Sequence, residues 1–288
     1  MIEYVLVRVL VFLLGYLPFC ILYRVSDLLS MLFYVAGIRK KTIYQNIQQA
    51  FPLKTNAEIK YLVKGVYRNF FDVMFVELLK GFTISSQAIK KRYVLQKDEG
   101  SLAYLNTQGN VILVMGHFAN WEWGASLQSE HVKKAFYKPL KNPLLNAYVR
   151  NNRARFGVEL VSVRHSASVF LRNRHELSTV VLIADKQNIK ERDINKAVWL
   201  PFLNGESPFL VGPAKSAQML NSPLFFVTVK RIKRGYYQVY GKLICQDPNE
   251  LDVLEITRRW VCCLEAEVLQ DPSSWFWFWA TTRSRQCR

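Results

Sequence analysis

Apolar positions run almost unbroken from Tyr4 to Tyr23, with Arg8 the one charge inside the run. Twenty helical residues reach about 30 Å, the thickness of a bilayer's hydrocarbon core. A cleaved signal peptide needs a basic start and a small-residue cleavage site. Glu3 precedes this run and Arg24 and Asp27 come after it, so cleavage is not expected. A second apolar stretch, Leu28 to Ile38, is too short to span and ends on Arg39-Lys40-Lys41. Two membrane geometries fit: one helix across the bilayer, or a helical hairpin lying in one leaflet. A pair of buried core helices is the alternative. The basic residues after Ile38 predict that the chain beyond them is cytoplasmic. The expected division is an anchor over 1–40 and a domain over 41–288.

From Lys41 to about Val94 the pattern is helical. Between Thr55 and Lys80, Ile59, Leu62, Val63, Val66, Phe70, Val73, Met74 and Leu78 recur at helical spacing. Beyond Gly100 the pattern changes to short apolar runs with helical stretches between them. Val111–Met115, Val158–Val163, Thr179–Ala184 and Leu224–Val229 read as buried strands. Leu144–Phe156 reads as a helix closed by Gly157. This alternation predicts an α/β fold with a mostly parallel sheet flanked by helices.

Charge narrows the choice of partners. Lys and Arg outnumber Asp and Glu by 39 to 22, for a net charge of +17. Such an excess favours an anionic partner. The basic residues fall in short clusters, among them Lys133-Lys134, Lys230-Arg231 and Arg283 to Arg288. No zinc-finger spacing or basic heptad accompanies them, so no nucleic-acid partner is expected. The five cysteines are odd in number and include no C-x-x-C pair, which argues against a disulfide framework and against zinc.

The strand at Val111–Met115 runs into Gly116-His117-Phe118-Ala119-Asn120-Trp121-Glu122. Asn120 is a good helix N-cap, which would put Glu122 in the first helical turn. With His117 in the turn before that helix, its imidazole could fold back onto the Glu122 carboxylate. The carboxylate would hold one ring nitrogen and leave the other to take a proton from an alcohol. A histidine and an acid five apart recur by chance. Placement adds weight, because open α/β sheets bind ligands at the carboxyl ends of their strands. Asp185 lies at the corresponding end of Thr179–Ala184, and a helix cap or an ion-pair partner is its blander reading.

These residues resemble the lipid A late acyltransferases, the lauroyl and myristoyl transferases of the lysophospholipid acyltransferase superfamily. The hallmark there is His, four residues, then Asp or Glu, matched by His117 and Glu122. Asn46 to Pro52 is similar to the segment after that family's membrane anchor. Tyr137-Lys138-Pro139 and Asn142-Pro143-Leu144 resemble the segment after its histidine motif. Arg153-Ala154-Arg155 falls where functional arginine is kept, and Ala184-Asp185-Lys186-Gln187 resembles an Asp-Gln segment. Pro201-Phe202, Pro208 and Gly212-Pro213-Ala214 resemble the next loop and helix of that family. The C-terminal Trp275 to Thr282 keeps the tryptophan but lacks the basic cluster right after it. The resemblance implies direct acyl transfer from a thioester of acyl carrier protein, or of coenzyme A, to a lipid hydroxyl, without a cofactor. His117 would be the general base, Glu122 its orienting group, and Arg153, Arg155 and Asp185 would bind substrate. Lys133-Lys134 would be a docking surface for an acidic carrier.

Overall fold

The computed structural model describes residues 1–96, 109–127, 132–162, 178–186 and 189–279. The basic cluster Arg283 to Arg288 and Gln187 lie outside the described residues.

The N-terminal run is not one helix. Helix α1 (Ile2–Leu14) and α2 (Phe19–Val35) are separated at Gly15 to Pro18. Proline has no N–H to continue the ladder and pushes the residue before it out of helical conformation. Among the described residues no single helix is long and apolar enough to cross a membrane. One bent pair passes that test by length and composition, α2 with α3 (Lys40–Ala50), which meet at 88°. The Leu28–Ile38 stretch, expected as a separate element, continues α2. Val5, Leu6, Val9, Leu10, Phe12 and Leu13 of α1 are exposed, as are Leu28, Met31 and Leu32 of α2.

Helix α4 (Asn56–Phe71) starts with a capping box: Thr55 accepts from the Glu58 N–H while Glu58 accepts from Thr55. It continues into a π-helix (Asp72–Glu77), α5 (Leu78–Thr83) and α6 (Ser86–Lys90). Beyond α6 comes a seven-stranded sheet, assembled from β1 (Tyr93–Leu95), β2 (Val111–Met115), β3 (Val132–Tyr137), β4 (Val158–Ser162), β5 (Ser178–Ile183), β8 (Leu224–Lys233) and β9 (Tyr236–Cys245). Its order is β1-β9-β8-β2-β5-β3-β4. Every pairing is parallel except β8 with β9. The four predicted strands are all present, and the predicted helix is α7 (Pro143–Ala154), with Gly157 beyond its end at φ +77°. Pro201 and Pro208, expected in a loop, lie on a separate two-stranded ribbon, β6 (Ala197–Phe202) with β7 (Gly205–Leu210). Leu203 and Asn204 turn it at φ 52° and 58°, as a two-residue hairpin requires. Prolines fit there because a two-strand ribbon has free edges. Helices α8 (Gly212–Leu220) and α9 (Val253–Gln270) precede β8 and follow β9 respectively. Ile256, Trp260, Leu264 and Val268 of α9 are buried in the larger core against Phe209, Leu224 and Trp275.

A buried charged network joins the N-terminal helices to this body. On an α-helix, residues 72 and 77 would point about 140° apart. The wider π turn narrows that angle, and Asp72 and Glu77 are both fully buried. Asp72 accepts from Ser26 of α2 at 2.8 Å, Arg231 at 3.1 Å and Arg234 at 3.0 Å. Arg234 also grips Asp27 of α2 at 2.5 and 2.9 Å. Glu77 accepts from Tyr23 of α2 at 3.0 Å and from Tyr237 of β9. Burial pushes the Glu77 carboxyl up to about 7, against the pull of Arg231 and the Tyr237 hydrogen bond.

Folding raises this acid above its usual 4.5, so the folded state holds the extra proton between the two values. Glu77 therefore removes stability as pH rises from 4.5 to about 7, on the order of 3 kcal/mol at ~1.4 kcal/mol per pH unit. Glu77→Gln should then be more stable than the parent at pH 8 and close to it at pH 5. Urea unfolding at both pH values measures this; a pH-independent difference would refute the titration.

Candidate active site

The site grows from strand register. In the β2–β5 pairing Met115 faces Ile183, and the Ala184 N–H donates to the Met115 carbonyl at 3.0 Å. Two residues beyond each partner stand His117 and Asp185, so two adjacent parallel strands deliver both to one carboxyl-end rim. Asp185 Oδ1 lies 2.5 Å from His117 Nδ1, and Oδ2 accepts from the His117 backbone N–H at 2.7 Å. The Trp275 indole N–H also donates to Oδ2, at 2.8 Å. The Asp185 side chain has no solvent exposure, while that of His117 has 16%. Burial alone would raise the Asp185 pKa. The charge of His117, its two hydrogen bonds and the indole outweigh burial and leave it below the usual carboxylate range. This pairing contributes stability above the unfolded carboxylate pKa and loses it as pH falls through the folded one.

The turn that holds His117 is tightly specified. A Cβ on Gly116 would come 2.7 Å from Leu264 Cδ1 and 2.9 Å from Phe118 Cε2. Ala119 sits at φ +41°, a left-handed conformation that a non-glycine residue holds only when its surroundings impose it. Here the C-terminal segment imposes it. The Ala119 N–H donates to the Ser274 carbonyl at 2.9 Å, Asn69 donates to the same carbonyl at 3.1 Å, and Phe118 bridges Trp275. The rings of Trp121 and Phe276 stand 4.9 and 6.2 Å from the imidazole.

The structure corrects the expected partnership of His117 with Glu122. Asn120 does cap the next turn, accepting from the Trp123 N–H at 3.1 Å. That turn is a five-residue 3-10 helix, Glu122–Ser126, and its glutamate serves α7. Arg153 Nη2 lies 2.7 and 2.8 Å from the two Glu122 oxygens, and Nε 3.3 Å from Oε2. The imidazole's carboxylate is Asp185, because strand register puts that residue beside it. Asp185, expected to bind substrate, is the residue hydrogen-bonded to the histidine.

Arg155, also expected to bind substrate, donates to the carbonyls of Gly81 at 2.5 Å and Ile84 at 3.0 Å. Partial burial lowers its pKa. Lys133-Lys134 is not a docking surface: Lys134 is buried, and Lys133 Nζ donates to the carbonyls of Ala125, Leu127 and Phe156 at 2.7 to 2.8 Å. Burial pushes the Lys133 ammonium down to about 8. It clamps the C-terminal ends of the two helices that carry Glu122 and Arg153. Sequence reasoning gave neither Lys133 nor Trp275 this role. The aromatic run at Trp275 was visible, but its contact with a carboxylate ninety residues away left no local signal. Among the described residues no group of three or more His, Cys, Asp or Glu could hold a metal ion.

A histidine held through Nδ1 by a buried carboxylate, at the carboxyl rim of a parallel sheet, is an arrangement that can accept a proton from a hydroxyl. The chain belongs to the bacterial lipid A biosynthesis acyltransferases, whose family model matches residues 1–283, and it is an acyltransferase. Among solved structures, the 1-acyl-sn-glycerophosphate (LPA) acyltransferase PlsC from Thermotoga maritima is similar at 12% identity and a TM-score of 0.39. The match covers 85% of this chain and 97% of that one. A search of curated proteins gave no match.

Lys133→Met should cost about 1–3 kcal/mol, because three part-buried carbonyls lose a charged donor. Urea unfolding at pH 7 reads this. A variant as stable as the parent would return Lys133 to the surface role.

Proposed function

We propose that the enzyme moves a fatty acyl chain from an acyl thioester to a hydroxyl of a lipid A precursor, in lipopolysaccharide biosynthesis. The observation that carries the chemistry is the 2.5 Å contact between His117 Nδ1 and Asp185 Oδ1. With Nδ1 engaged, proton transfer falls to Nε2. That nitrogen takes the acceptor's hydroxyl proton as oxygen attacks the thioester carbonyl, and returns a proton to the departing thiolate. Asp185 steadies the imidazolium between the two events. Arg153, fixed by Glu122, is the guanidinium assigned to charge on the thioester oxygen or to a substrate phosphate. The match to the lipid A family favours a lipid A precursor as acceptor; a lysophospholipid or an aminolipid is the second reading.

The proposed donor is acyl carrier protein in preference to coenzyme A, given the +17 charge. The docking site moves from Lys133-Lys134 to Lys138 and Lys141, exposed in the β3–α7 connection, with Arg150 exposed farther along α7. Attachment to the cytoplasmic face of the inner membrane through residues 1–40 is supported by the exposed apolar side chains of α1 and α2. A hairpin in one leaflet fits the break at Pro18 better than a spanning helix does.

His117→Ala and Asp185→Asn should each lower turnover about 10² to 10⁴-fold in a folded protein. In cells, mass spectrometry of lipids from a strain carrying His117→Ala should show lipid A short of one acyl chain. Normal turnover by the purified His117→Ala chain would dismiss the base, and loss of an acyl group from another lipid would select the second reading. For the donor, Lys138→Glu with Lys141→Glu should reduce kcat/KM with the acyl carrier more than with coenzyme A. That gap should close as salt rises. Equal effects on both donors at low salt would assign the charge to the membrane surface.

A further inference from the structure

We infer that Trp275 is a positioning residue for the reaction: its indole N–H fixes the Asp185 carboxylate in the orientation that holds His117. The inference rests on His117 acting as the general base. Asp185 carries two kinds of constraint. Oδ1 meets the imidazole, and Oδ2 receives the His117 backbone N–H and the indole N–H. The backbone donor and the imidazole both come from the β2 turn, while the indole reaches the carboxylate from a separate C-terminal segment. The indole supplies an external reference. Trp275 is 1% exposed, and its ring packs edge-on against Trp277 at 4.8 Å and against Phe202 at 5.8 Å. The neighbouring Ser274 carbonyl holds the strained Ala119 in the histidine turn. One short segment, Ser274-Trp275, therefore grips both halves of the pair, the turn bearing the histidine and the carboxylate opposite it.

The donor also has a charge consequence. An N–H on Oδ2 draws negative charge away from the carboxylate. Without it the carboxylate becomes the stronger acceptor for Nδ1–H and favours the imidazolium. The acid limb of the rate profile, below which the base is protonated, then moves to higher pH.

The test is the pH dependence of kcat/KM for Trp275→Phe, with Tm measured alongside. A second chain carries 3-benzothienylalanine at position 275, which keeps the bicyclic ring and replaces the N–H by sulfur. It preserves the packing if the phenylalanine variant fails to fold. Expected are an acid limb raised by roughly half to one pH unit and kcat lowered about tenfold, with KM for both substrates unchanged. Phe202→Leu disturbs the packing of the same ring without touching its N–H, and should lower Tm while leaving the limb in place. An acid limb that stays put in the benzothienyl chain, beside an inactive His117→Ala, overturns the positioning role and leaves the base standing. Turnover by His117→Ala overturns the base itself.

Discussion

Asp185 must stay ionised with no solvent to stabilise it, and the rim is organised around meeting that demand. An unpaired buried carboxylate would take up a proton rather than bear the loss of hydration. Three donors prevent this, and each comes from a different structural source: the backbone of the β2 turn, the imidazole, and the C-terminal indole. The parallel register of β2 and β5 brings the first two to the carboxylate. The third requires the chain to return after α9 and lay Ser274-Trp275 across the turn. Gly116 and the left-handed Ala119 reflect the closeness of that return, since the turn is pressed between Leu264 and the segment above it.

A second layer stands beside this one and depends on different forces. Glu122 and Arg153 form a two-oxygen pair between a 3-10 helix and α7, and Lys133 ties the C-terminal ends of the same two elements through three carbonyls. A charge near helix C-termini is favoured by the helix dipole and by orphan carbonyls there. The C-terminal end of α7 is thus held both by a side-chain ion pair and by a lysine. The arrangement gives Arg153 a fixed direction although α7 has no fully buried residue of its own.

The sequence made visible what local pattern encodes. Val111–Met115 and Thr179–Ala184 stood out because strands buried on both faces are unbroken apolar runs. Their carboxyl ends then pointed to His117 and Asp185 as neighbours on a rim. The identity of the partner was not legible, because Glu122 is five residues from the histidine while Asp185 is 68 residues away. Strand register, a tertiary property, decided between them. Lys133 misled for a related reason. A Lys-Lys pair reads as a solvated surface, yet a parallel strand with a covered face turns such side chains inward to the carbonyls of neighbouring helices. β3 and β9 escaped notice because both mix charged with apolar residues. The long apolar run at the N-terminus concealed its own break, since Pro18 interrupts hydrogen bonding without interrupting hydropathy.

That break has a consequence for how the N-terminal region relates to chemistry. A free anchor would leave the catalytic body unaffected by its loss. Here α2 places Tyr23, Ser26 and Asp27 on Glu77, Asp72 and Arg234, so its inner face is part of the protein interior while its outer face carries Leu28, Met31 and Leu32. The carbonyl at the break, Gly15, is itself held by Lys80 and Thr83. The network does not stop at the π-helix: the Trp123 indole donates to the Glu77 carbonyl, and Trp123 adjoins Glu122 in sequence. Removing a basic partner such as Arg231 from this cluster leaves the buried Asp72 carboxylate under-compensated and costs about 3–5 kcal/mol. α2 is thus linked by hydrogen bonds through Glu77 to the turn that carries Glu122. Under the proposed attachment, the element facing lipid and the element setting the active-site rim are one continuous packed unit. An acceptor lipid would meet the rim at a fixed depth, without the slack of a tether.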